Sequence, residues 1–135
     1  MRVEIITFCE SAVSEGGTMS IVKAFNDLVV PGFPCIVPKL QIAGRFVFEL
    51  DETGNHKLTF SVRDTRGQIQ TATTVSIHLP PELFRPIATL SLVLELGNIQ
   101  IQSGGEHTLT LDFDGAEKHV APFWVSTGKA KSQAT

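Results

Sequence analysis

One stretch of this chain is written twice. Gly54-Asn55-His56-Lys57-Leu58-Thr59-Phe60-Ser61-Val62-Arg63-Asp64 returns as Gly105-Glu106-His107-Thr108-Leu109-Thr110-Leu111-Asp112-Phe113-Asp114. Each copy reads Gly-x-His-x-Leu-Thr, continues in alternating apolar residues and closes on Asp. An apolar period of two is a strand period. It sets Leu58, Phe60 and Val62 on one face of a strand, and Leu109, Leu111 and Phe113 on one face of another. Two half-apolar strands need an opposing layer to cover them. Both copies are therefore expected as central strands of a β-sandwich.

The rest of the chain agrees. Val3–Cys9 alternates as a first strand, Ser11–Thr18 reads as a loop around Gly16-Gly17, and Thr18–Phe25 reads as a second strand. Asn26-Asp27 signals a turn. Leu28–Pro38, with Pro31, Pro34 and Pro38, is expected as a short edge segment and crossing loop, because proline cannot donate to a central ladder. Leu40–Leu50 is a strong strand, with Phe46 and Phe48 expected across from Leu58 and Phe60 as cross-strand pairs. Asp64–Gly67 is a tight turn and Thr71–Leu79 is β-rich. Pro80–Pro86 is the clearest break and is expected to carry the chain between sheets. Ile87–Leu96 follows as a strand, although Leu90, Leu94 and Gly97 also fit a helical spacing. Gly97-Asn98 is expected to turn into Ile99–Gln102. Asp114-Gly115 is a hairpin signal, and Lys118–Val125 is the last strand, with Val120 and Phe123 or Trp124 inward. The expectation is a single-domain, all-β antiparallel sandwich of eight or nine strands, immunoglobulin-like or Greek-key, over residues 1–126, followed by a flexible tail over 127–135.

Composition narrows the chemistry. Phe occurs nine times and Tyr never, so no phenol can act as acid, base or nucleophile. A net charge of −3 gives no electrostatic case for nucleic acid; Arg63 and Arg66 in a turn, and Lys129 and Lys131 in the tail, are the only local basic bias. No run reaches the roughly 18 apolar residues of a membrane helix. Glu4 and Glu10 interrupt the opening segment, which leaves no secretory apolar run, so a cytoplasmic location is expected. Two cysteines, Cys9 and Cys35, make no disulfide framework. Cys9, in a strand, reads as a buried small hydrophobe, and Cys35, after Phe33-Pro34, as partly exposed.

The repeated motif resembles the Gly-x-Tyr-x-Leu-x-Val…Asp stretch of immunoglobulin-like and fibronectin-like modules, where a tyrosine hydroxyl bonds back to nearby backbone. The resemblance implies that His56 and His107 anchor turns in the same way. Over most of the chain, Val3-Glu4-Ile5 through Phe8-Cys9-Glu10, Ile21–Phe25, Phe33-Pro34-Cys35, Arg45-Phe46-x-Phe48-Glu49 and Gly54-x-His56 resemble a family of small bacterial β-sandwich proteins of unknown function. That resemblance implies a cytoplasmic β-sandwich and brings no catalytic residues with it.

No nucleophile-and-base signature is present: there is no Gly-x-Ser-x-Gly, Cys-x-x-Cys or His-Glu-x-x-His. The chain is expected not to be an enzyme and to need no cofactor. His56 and His107 lack the close spacing of zinc ligands. Asp51, Glu52, Asp64, Asp112 and Asp114 gather at turns, where loop carboxylates can surround calcium; turn formation accounts for them more simply. The functional expectation is a non-catalytic protein-interaction or structural module that associates with a protein partner or with itself by edge-strand pairing. The alternative is a small-ligand or calcium-binding sandwich that uses its end loops.

Overall fold

In a computed structural model, which describes residues 1–128, nine strands form two sheets packed face to face. They are β1 (Arg2–Glu15), β2 (Thr18–Phe25), β3 (Asp27–Val29), β4 (Cys35–Phe48), β5 (Gly54–Arg63), β6 (Ile69–Leu79), β7 (Ala88–Ile101), β8 (Gly105–Phe113) and β9 (Ala116–Ser126). One sheet has the order β2-β1-β4-β7, the other β3-β9-β8-β5-β6. The fold is the expected all-β sandwich. Its ladders are antiparallel except one: β3 runs parallel to β9. The two 3₁₀ turns, Leu50–Glu52 and Pro81–Leu83, lie where the chain changes sheet. The expected tail over 127–135 falls almost wholly outside the described residues, as do Lys129 and Lys131.

The core is a slab of alternate side chains. Ile42, Phe46 and Phe48 from β4 meet Leu58, Phe60 and Val62 from β5 and Leu109 and Leu111 from β8, all at 1% exposure or less. Phe46 and Phe60 have ring centroids 6.1 Å apart, and Phe48 and Phe113 5.9 Å. These aromatics therefore meet across the sandwich and not side by side in one ladder, because β4 and β5 belong to different sheets. Gly44 makes room for one of them. A Cβ there would lie 2.5 Å from the Phe46 ring, which folds back over the glycine.

Several expected boundaries move. Ser11–Glu15 is strand and not loop, and Gly16-Gly17 closes a two-residue hairpin into β2. Cys35–Pro38 belongs to β4. Pro38 is tolerated because β1 pairs with β4 only as far as Gln41, which leaves that end of β4 with β7 alone. Gly97-Asn98 does not turn the chain. Asn98, at φ +52, sits opposite Pro38 and kinks a single fourteen-residue β7. The two strands change phase together there: Leu40 and Leu96 face inward on one side of the kink, Val37 and Ile99 on the other. In β9 only Phe123 of the three candidates is inward; Val120 and Trp124 are 45% and 51% exposed.

Candidate functional site

The two copies of the repeat are neighbours. β5 and β8 pair antiparallel, from Leu58 opposite Phe113 to Arg63 opposite Thr108. The start of each copy therefore lies beside the end of the other. The two histidines fall at opposite ends of the sheet, about 27 Å apart at strand rise, and cannot share an ion.

At one end His56 is clasped. Gly54 enters β5 at φ +111, a conformation that side chains resist, and turns the chain so that His56 points back toward the sheet connection. Its Nδ1 donates to Asp114 Oδ2 at 2.6 Å, and its Nε2 donates to the Glu52 carbonyl at 2.6 Å. Neither acceptor can donate, so the protonated ring is the form that satisfies both contacts. Burial opposes that charge. The Asp114 hydrogen bond and the Glu52 carbonyl outweigh burial and raise the His56 pKa above its usual value. The Asp114 carboxyl is lowered by the His56 bond first and by the Lys57 amide, 2.8 Å away, second. Burial pushes the Glu52 carboxyl up, but hydrogen bonds from the Met1 amino group and the Glu49 backbone bring it down. The His56 ring also lies against Phe113, centroids 4.8 Å apart.

At the other end the second copy repeats the geometry in part. Gly105 has φ +119, and His107, 1% exposed, donates from Nδ1 to the Gly105 carbonyl at 3.1 Å. Its electrostatic neighbour is Asp64, the residue that closes the first copy. Asp64 is held low chiefly by the Gln68 amide, and it also accepts from the Arg66 amide, both at 2.9 Å. Both histidines therefore bond to nearby backbone, as the resemblance to the tyrosine motif implies. The antiparallel pairing adds what the sequence does not state, that each copy's His faces the other copy's Asp.

Beside the His56 clasp lies an open groove of about 500 Å³, lined by Asn55, His56, Lys57, Ser76, Ile77, His78 and Asp114. His78 Nδ1 bonds Asn55 Oδ1 at 2.6 Å. The groove runs onto β6, an element with a different kind of exposure. β6 ends its sheet and has β5 as its only neighbour in the strand order. Its sequence, Ile-Gln-Thr-Ala-Thr-Thr-Val-Ser-Ile-His-Leu, holds no Asp, Glu, Lys, Arg, Pro or Gly. The register with β5 is continuous from Thr71 to Leu79. The absence of charge over this run was legible in the sequence; its place at a sheet edge was not.

The other candidates are placed as follows. Cys9 is 2% exposed, and burial pushes its thiol pKa up, which suits a packed hydrophobe; Cys35 is intermediate in burial. The acidic residues do not gather: Glu52 and Asp114 bond His56, Asp51 lies in the 3₁₀ turn, Asp112 lies within β8 opposite Thr59, and Asp64 lies at the His107 end. Among the described residues no three His, Cys, Asp or Glu side chains come together to hold a metal ion. Among the same residues no helix is long and apolar enough to cross a membrane.

Compared with known proteins, residues 4–126 match the model of DUF6941, a family of unknown function. No curated protein matches. Among solved structures, the β-glucosidase from Listeria innocua in complex with glucose is 10% identical with a TM-score of 0.49; the match covers 92% of this chain and 16% of that one. A glycosyl hydrolase family 2 member from Bacteroides cellulosilyticus DSM 14838 is 14% identical with a TM-score of 0.40, over 82% of this chain and 18% of that one. The chain thus spans less than a fifth of the structures it is similar to, and at those scores neither bears on its role.

Proposed function

The chain belongs to DUF6941, a family of unknown function, and from that premise we propose that it is a non-catalytic protein-interaction module that associates through the open edge of β6. The observation that carries this reading is the state of that edge. Long, straight, uncharged edge strands template pairing with another chain, and proteins that need to stay apart blunt them with charge, proline, bulges or brevity. The chain's other sheet edges carry such devices: β2 has Lys23 at φ +53, β3 is three residues long, and β7 has Glu95 and the Asn98 kink. β6 carries one of them, a register shift at Gln70 beside its first residue, and from Thr71 to Leu79 it has none. An unblunted edge fits strand addition, in which backbone hydrogen bonds supply affinity.

The non-catalytic half of the reading is supported by the His56 clasp. A histidine with both ring nitrogens committed to hydrogen bonds is not free to act as a general base. The test is light scattering on the purified chain. Wild type is expected to run as a dimer or larger. Ala72→Lys with Ser76→Lys, two exposed β6 positions, is expected to return it to monomer without loss of the β circular-dichroism spectrum. Assembly that ignores both lysines sinks the reading. The groove beside His56, lined by Lys57, His78 and the paired His56 and Asp114, favours a second reading, a small-ligand site. A thermal-shift screen with phosphate, carboxylates, sugars and calcium checks it: a rise of several degrees that is lost in Lys57→Ala would support it.

A further inference from the structure

β1 belongs to two structures in turn. From Arg2 to Cys9 it pairs with β4, and beyond Cys9 its ladder continues with β2 alone among the described residues. Residues 10–23 thus form a two-stranded arm with Gly16-Gly17 at its tip. In a straight strand that tip would lie roughly 35 Å from Ile5. Instead the Gly17 carbonyl accepts from Arg45 Nη1 at 3.0 Å, and Arg45 is the β4 residue opposite Ile5. The arm is therefore folded back across the outer face of its own sheet. Burial agrees. Cys9, Ala43 and Val47 alternate with the inward side chains of their strands, so they point away from the core, and yet all three are buried. In the arm, pairing sets Ala12, Met19 and Ile21 on one face and Val13 and Val22 on the other. The first three are part-buried and the two valines are exposed.

The fold-back has one hinge. The ladder pairs Cys9 with Ala24 and Ser11 with Val22 but skips Glu10 and Lys23 between them, where Lys23 takes φ +53. A lysine resists that left-handed backbone. The same register would pair Glu10 with Lys23 in a straight arm. Two arrangements therefore compete. Folded back, the arm covers the outer face around Ala43 and gains the Arg45 bond, whose guanidinium is steadied by Glu4 Oε1 at 2.8 Å and Ser91 Oγ at 3.3 Å. Straightened, it restores the missing pair and releases Lys23. A two-stranded ribbon is marginal alone, and the Arg45 bond at the tip is solvent-exposed, so the folded-back form is lightly held. We propose that residues 10–23 are a strap that opens and closes as a unit over this face, with Glu10 and Lys23 as hinge and Arg45 as latch. Opening uncovers the apolar surface around Ala43 while both sheets stay folded, as low-stability segments open in otherwise intact domains. The strap stands apart from the β6 reading.

The test is amide hydrogen exchange on the whole chain, with the β8 amides of Leu109–Leu111 as internal reference. Paired amides of residues 11–22 are expected to share one protection factor, about a hundredfold or more below that of β8. Arg45→Met, which keeps a long side chain and loses the latch, is expected to speed arm exchange by about tenfold and leave β8 unchanged. Lys23→Gly, which removes the cost of the left-handed backbone in the closed form, is expected to slow it. Ser91→Ala, which touches Arg45 but not the arm, is expected to leave it alone. Arm amides that exchange only together with β8, by global unfolding, overturn the proposal. A gradient of exchange rising toward Gly16-Gly17 also overturns it, because that is fraying and not a unit opening. Arm exchange indifferent to Arg45→Met removes the latch. Should Arg45→Met fail to fold, wild type and Lys23→Gly still decide whether the strap opens at this hinge.

Discussion

At the scale of the residue, the His56 clasp makes stability depend on pH with a definite sign. The His56 pKa is raised in the folded chain. Its contribution is full below the ordinary histidine value of about 6.5 and is lost as pH rises through the raised folded value. Asp114 and Glu52 are lowered. Their contributions are present above the ordinary carboxylate value of about 4 and are lost as pH falls through the lowered folded values. The melting temperature is therefore expected to plateau between these limits and to fall on the alkaline side as His56 gives up its proton. His56→Gln should melt lower at pH 6 and show a flatter alkaline limb. A variant with the same alkaline limb as wild type would remove His56 from the account. The clasp itself was only half visible in the chain: Gly-x-His read as a turn anchor, but Asp114 lies 58 positions from His56, and nothing local joins them.

At the scale of the element, alternation and its interruptions decide the strands. The inward glycine of β4 accepts the Phe46 ring over its Cα, and that ring is itself fully buried. Gly44→Ala is therefore expected to cost about 1–3 kcal/mol by overpacking, measured by denaturant unfolding. Phe60→Ala, which opens a cavity between the sheets, should cost about 3–5 kcal/mol. If Gly44→Ala proved neutral, the ring would have room that the packing denies it. The boundaries that moved in β4 and β7 did so for one reason. Gly97-Asn98 and Pro38 each look like a stop when read alone. Set opposite one another in a ladder, the missing proline N–H and the left-handed Asn98 fit the same kink, and two strands continue where two turns were expected.

At the scale of the whole molecule, assembly through β6, as proposed, would tie stability to concentration. Concentration is expected to raise the melting temperature, since anything that binds only the folded state stabilises it by mass action. The β6 lysine pair should abolish that dependence while leaving the dilute-limit melting temperature within a few degrees of wild type. A melting temperature independent of concentration over a hundredfold range would speak against assembly at the β6 edge.

Local periodicity was enough to determine the class of fold, the strand identity of both repeat copies and the crossing at Pro80–Pro86, because apolar period and proline geometry act within a few residues. What the tertiary structure alone decided is which strands lie side by side. Pairing brought the two Gly-x-His copies head to tail, so that His56 bonds Asp114 and His107 lies at the Asp64 end. It moved Phe46 and Phe60 from one ladder to opposite walls of the core, and it left β6, out of all the uncharged strand sequence, at an edge. Those outcomes depend on contacts between residues far apart in the chain, whose geometry is fixed only when both sheets close on a common core.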